Sequence, residues 1–135
     1  MVRLAALLLV FNVIAAGGTP PAHAQAAFLL GDWQQIASNA GKCPTCRINL
    51  SSRGDDVMVA ANNGWSAVVA EQPRPDRVIL TGSGRWQVRS SRLDGKQFTA
   101  DFEQRGDRLY MTMRIVTGGR EWTVNAVYGR LWLGS

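Results

Sequence analysis

The residues with the most distinctive spacing are Cys43 and Cys46, the only two cysteines of the chain, set in Cys43-Pro44-Thr45-Cys46. Three chemistries use that spacing. In an oxidising compartment the pair closes a small disulfide loop that pins a turn. As a dithiol it is the C-x-x-C of thiol–disulfide oxidoreductases. As half of a metal site it needs ligands from a second chain, because no further cysteine exists. A redox C-x-x-C draws its low thiol pKa from the N-terminus of a helix. Cys46 instead leads into Arg47-Ile48-Asn49-Leu50, which alternates like a strand. The structural disulfide is the favoured reading, with Lys42 and Arg47 still available to stabilise a thiolate.

Acid–base chemistry has few other candidates. The single histidine, His23, sits in a segment that reads as an export signal and is expected to leave with it. Without an imidazole there is no Ser-His or Cys-His pair and no histidine ligand for zinc. A carboxylate pair is the remaining route. Asp101 and Glu103 share one face of a strand opposite Phe98, Ala100 and Phe102, with Arg105 and Arg114 near enough to neutralise them. Cross-strand ion pairing accounts for them better than glycosidase chemistry does. Asp55-Asp56 follows Arg53-Gly54 and reads as a turn, and Glu121 stands alone. The glycines fall in hairpins rather than before a helix, so no phosphate loop is present. The expectation is a protein without catalytic residues, metal or cofactor.

The N-terminus carries Met1-Val2-Arg3, an apolar run Leu4–Ala16, Gly17-Gly18-Thr19-Pro20-Pro21 and then Ala22-His23-Ala24. Charged start, hydrophobic stretch, helix breakers and small-x-small cleavage site come in the order of a secretory signal. The apolar run is too short for a bilayer core, which needs about 20 residues. Residues 1–24 are read as a signal peptide cleaved after Ala24, and 25–135 as a single domain. The product is then periplasmic or secreted, with no membrane span after cleavage. Its excess positive charge is almost all arginine, spread singly and interleaved with acids. That pattern suits a solvated surface better than the basic stripe of a nucleic-acid binder.

Beyond residue 25 the chain alternates apolar and polar residues between closely spaced turn signals. Leu109, Met111, Met113 and Ile115 alternate with Tyr110, Thr112 and Arg114, and Trp122, Val124 and Ala126 with Thr123 and Asn125. Period two over such lengths marks half-buried strands. Strands are expected at 28–37, 46–51, 56–61, 65–70, 77–81, 84–90, 96–103, 108–116 and 121–129. Asp94-Gly95 suits a type I′ hairpin, and Gly106-Asp107 and Gly118-Gly119 supply positive φ for tight turns. The fold class is all-β: an antiparallel up-and-down meander of eight or nine short strands, closed as a barrel, with a sandwich as the alternative. Closure removes exposed edges.

Five tryptophans need a place: Trp33, Trp65, Trp86, Trp122 and Trp132. Filling the core is the favoured use, since each buries a large area. Trp65, Trp86 and Trp122 are the candidates for lining a ligand pocket as well. Leu30-Gly31-Asp32-Trp33 resembles the G-x-W opening of calycin barrels, meaning lipocalins, avidins and small bacterial metalloprotease inhibitors. In lipocalins an arginine near the final strand covers that tryptophan, and Arg130 in Tyr128-Gly129-Arg130-Leu131-Trp132 occupies the matching place. The resemblance implies a barrel and a structural role for Trp33 and Arg130, but no ligand. It rests on about five residues, and the close spacing of Cys43 and Cys46 departs from the well-separated disulfide of the inhibitors.

Taken together, these residues predict an exported, non-enzymatic β-barrel binding module. Its partner is either a small apolar or aromatic molecule or an envelope or extracellular protein. A secreted inhibitor or envelope accessory protein and a thiol-redox protein using Cys43 and Cys46 are the alternatives.

Overall fold

The computed structural model describes residue 17 and residues 23–89 and 91–132. The predicted signal segment lies almost wholly outside these residues. The described chain begins with a helical turn at His23–Ala26, spanning the expected cleavage position, and a 3₁₀ turn at Ala27–Leu29. No described helix is long and apolar enough to cross a membrane.

Eight strands follow: β1 (Gly31–Ser38), β2 (Arg47–Arg53), β3 (Asp56–Ala61), β4 (Trp65–Gln72), β5 (Ile79–Trp86), β6 (Gln97–Arg105), β7 (Arg108–Thr117) and β8 (Arg120–Arg130). Each pairs antiparallel with its neighbour, and β8 returns to β1, so the sheet is a closed up-and-down barrel with no free edge. The two-residue turns Gly54-Asp55, Gly106-Asp107 and Gly118-Gly119 join strands that pair right up to the turn, each with glycine at positive φ.

The inward faces match the period-two pattern. Phe98, Ala100 and Phe102 of β6 and Leu109, Met111, Met113 and Ile115 of β7 are all buried. With Leu50, Val59, Val69 and Leu80 they form one cluster that fills the barrel along its axis. Eight apolar faces converging on a narrow axis leave the interior occupied by side chains, one of the two outcomes open to an eight-stranded barrel.

Two expectations about the strands need correction. The segments 77–81 and 84–90 are one strand, β5, because Gly82-Ser83-Gly84 does not turn. Gly82 and Gly84 sit in the inward register, where β4 crosses too closely for a side chain. A Cβ at Gly82 would lie 2.0 Å from the Val68 carbonyl oxygen, and one at Gly84 2.1 Å from that of Ser66. Likewise Asp94-Gly95 does not close a two-residue hairpin. The Trp86 backbone N–H donates to Lys96 O and the Gly95 N–H donates to Trp86 O, so residues 87–89 and 91–95 leave the ladder in the connection between β5 and β6, here the 87–95 loop.

Candidate functional site

The barrel has two unlike ends. At the first, β1 begins and β8 finishes. Trp33 is 1 % exposed there and donates its indole N–H to Leu29 O at 2.9 Å. The Arg130 guanidinium carbon stands 4.0 Å above the Trp33 ring centroid. Its Nη1 donates to Leu30 O at 2.7 Å and its Nη2 to Phe28 O. One arginine thus covers the indole and satisfies two carbonyls of the segment leading into β1. Partial burial lowers its affinity for the proton, but a guanidinium remains charged at any ordinary pH. The arrangement is the one that the G-x-W resemblance implies for Trp33 and Arg130, and it seals this end.

At the opposite end lie the β1–β2 loop with both cysteines, the Asn62–Gly64 turn, the 87–95 loop and the β7–β8 hairpin. All three tryptophans singled out for ligand contact are in strand segments at this end. Trp65 is buried, edge-on to Phe98 at 5.6 Å between centroids and tilted against Trp86 at 6.5 Å. Trp86 is half-buried, and its Nε1 is enclosed without a hydrogen-bond partner. Trp122 pairs with the inward Ile115 and so follows the inward register, yet it is 59 % exposed because β8 has passed the rim there. Trp65 and Trp86 therefore form one cluster, while Trp122 stands at the mouth.

The 87–95 loop, which follows Trp86 directly, is held against the barrel mouth. Gln87 N–H donates to Gly64 O at 2.7 Å, and Val88 packs so closely on Gly64 that a Cβ there would meet its Cγ2 at 2.1 Å. Leu93 packs against the core cluster from the same loop. An unpaired buried donor costs about 1–3 kcal/mol, and among the described residues the Trp86 N–H is the one buried side-chain donor without a partner.

Cys43 and Cys46 lie at bonding distance, with Cα atoms 5.3 Å apart. The loop is also held without sulfur. Gln34 Nε2 donates to Pro44 O at 2.8 Å and Cys46 O at 3.0 Å. Asn62 Nδ2 donates to Thr45 O at 2.8 Å, while its Oδ1 accepts from Arg47 N–H at 2.8 Å. A cross-link closing so few residues removes little chain entropy. Reduction is therefore expected to lower stability by about 1–2 kcal/mol, below the usual disulfide range. Urea denaturation with and without a phosphine reductant measures this, and a loss above about 3 kcal/mol would contradict it.

The candidate carboxylates are ion-paired on the outer surface. Arg114 Nη1 meets Asp101 Oδ2 at 2.9 Å. Glu103 faces Arg105 at 3.1 Å and Arg77 at 3.5 Å. The Arg105 hydrogen bond in particular holds the Glu103 carboxyl below the usual carboxylate range. Burial pushes the Tyr128 phenol well up, so it stays protonated inside the core. Among the described residues no three His, Cys, Asp or Glu side chains gather as a metal site.

A concavity of about 850 Å³ lies mainly on the outside of the barrel. It follows one cross-strand row of the register, from Met58 through Val68, Ser83 and Thr99 to Arg114. Ser66, Ser83 and Gly84 are among its lining residues, as are Arg53, Arg85 and Val116. No motif in the sequence marks this groove, because its members come from strands that meet only through the barrel register.

No protein-family model matches the chain. The search of curated proteins returned no match either. Among solved structures the chain is similar to the crystal structure of Rv2717c from M. tuberculosis, with a TM-score of 0.52 and 15 % sequence identity. The alignment covers 85 % of this chain and 100 % of that one, and at this identity the likeness shows the barrel fold alone.

Proposed function

We propose that the chain is an exported, non-enzymatic binding module, periplasmic or secreted, that takes a small aromatic or apolar molecule at the mouth of its barrel. The observation that carries this reading is the enclosed Trp86 N–H. It is an unused donor on an aromatic cluster at the end of β5, with the exposed Trp122 at the same end of the barrel. A ligand with a flat apolar body and one hydrogen-bond acceptor would complement those groups. Because side chains fill the axis, such a ligand lodges at the mouth and not deep inside as in a hollow barrel. The order of residues 1–24 supports export, and the pairing of Asp101 and Glu103 with arginines supports a non-catalytic role.

The test is a fluorescence titration with salicylate, indole-3-acetate and anilinonaphthalene sulfonate, on the wild type and on Trp86→Phe. Phenylalanine keeps one aromatic ring and removes the unsatisfied donor, so the relief of that donor offsets part of the cost of the smaller ring and the variant should remain folded. Its affinity for the best probe should fall about threefold to tenfold. Absence of any saturable change with all three probes would sink the small-ligand reading, as would unchanged affinity in Trp86→Phe.

The surface-acting alternative, an inhibitor or envelope accessory protein, draws on Trp122 and Val116, which are 59 % and 65 % exposed on one hairpin. The thiol-redox alternative draws on the greater exposure of Cys43 relative to Cys46. Against it, Cys46 runs straight into β2, so no helix dipole is present to acidify either thiol.

A further inference from the structure

The topology sorts the charges of this chain in a way that their scatter along the sequence conceals. Of its acids, only Asp94, Asp101 and Glu121 lie in the half of the barrel toward the loop end. That half holds Lys42 and Arg47 on the β1–β2 side and Arg85, Arg89, Arg92 and Lys96 around the 87–95 loop. The β7–β8 hairpin adds Arg114 and Arg120. The sealed end carries the remaining acids, and half of its arginines are engaged with them: Arg77, Arg105 and Arg108 are all in ion pairs. At the loop end Arg114 is paired with Asp101, but Arg85, Arg89, Arg92 and Arg120 meet no carboxylate among the described residues. The barrel is thus polar along its axis, with a strongly basic mouth.

Apolar groups stand in the middle of that basic field. Val116 and Trp122 are both well exposed, flanking the hairpin tip that Gly118-Gly119 turns. Every strand is paired on both sides, so an extended peptide finds no free backbone to add to. A soluble polyanion would use the arginines but leave the exposed valine and indole without a purpose. A bilayer with anionic headgroups uses both: indole and valine enter the headgroup boundary while guanidinium groups meet phosphates. We propose that the loop end docks on anionic lipid surfaces, with the β7–β8 hairpin tip inserted and the arginines of the 87–95 loop at headgroup level. This inference shares Trp122 and the 87–95 loop with the small-ligand reading but does not use the Trp86 N–H, so vesicle binding and probe binding can fail separately.

Co-sedimentation with vesicles of phosphatidylglycerol and phosphatidylcholine, compared with phosphatidylcholine alone, tests it on the full exported chain. Binding is expected only to the anionic vesicles, with a blue shift in emission that is lost in Trp122→Phe. Each basic residue near such a surface contributes about fivefold to partitioning. The triple variant Arg89→Gln, Arg92→Gln, Arg120→Gln should therefore bind roughly a hundredfold more weakly. The pair Arg74→Gln, Arg77→Gln at the sealed end should remain within about twofold of the wild type. Wild-type binding should also vanish at about 1 M salt, where the screening length is about 3 Å, which needs no variant to fold. Equal binding to neutral vesicles, an unaffected triple variant, or retention on dextran sulfate with no vesicle binding would each overturn the proposal.

Discussion

Trp33→Ala is expected to destabilise the barrel by about 3–5 kcal/mol, the range for truncating a large buried aromatic. Three losses coincide at this position. The indole is among the largest fully buried side chains, so its removal opens a cavity at the sealed end. Its N–H no longer reaches Leu29 O, and the Arg130 guanidinium loses the ring that it covers. Domains of this size have a total stability of about 5–15 kcal/mol, so the variant should approach the unfolding threshold at physiological temperature. Urea denaturation monitored by circular dichroism reads the effect directly, and a midpoint within about 1 kcal/mol of the wild type would refute it. Arg130→Lys should recover little of what Arg130→Ala loses. A lysine cannot stack flat on the indole while donating to two carbonyls.

Gly84→Ala should be nearly as damaging, by about 3 kcal/mol, for a single added methyl group. The φ of Gly84 is one that alanine adopts freely, so the whole cost is steric. Its Cβ would lie 2.1 Å from Ser66 O, 2.5 Å from Phe98 Cζ and 2.8 Å from Ala67 Cβ. The phenyl ring can turn, but the β4 backbone can move only by breaking its pairing with β5. Gly106→Ala is the contrasting case: φ is +59° and nothing lies within 4 Å. It should cost about 1 kcal/mol for the backbone conformation alone. Should Gly84→Ala unfold at the wild-type midpoint, the close approach of β4 and β5 inferred from these distances is wrong.

Gly82 and Gly84 also show where reading the chain failed. Glycines flanking a serine look like a turn, and nothing local distinguishes a turn from a place where another backbone presses in. The information belongs to β4, many residues earlier. The strands that alternate without interruption, β6, β7 and β8, were legible because burial on one side and water on the other imposes period two. Trp33 and Arg130 were legible through a resemblance, and the stacking distance between them is what it implies. Trp65 and Trp86 do meet, but the missing partner of Trp86 Nε1 was beyond reach, since it depends on the tertiary packing around the ring. Trp122 shows the limit of periodicity: the pattern assigns its face correctly but not its depth along the barrel. The axial sorting of charge was hidden for the same reason, because alternating hairpins carry sequence neighbours to opposite ends.

The pairing of β1 with β8 bears on the order in which this molecule can assemble. Arg130 bonds to a carbonyl 100 positions earlier, and the first strand finds one of its two neighbours only in the last. Contacts of such long sequence separation are entropically expensive to form early, and proteins dominated by them fold slowly. The hairpins from β2 to β7 can form locally, but the seal over Trp33 must wait until residues 120–130 have emerged from the ribosome. Until then the apolar faces stay open and the chain remains pliable. For a polypeptide proposed to be threaded across a membrane before it folds, a fold whose final strand completes its first is an intrinsic delay.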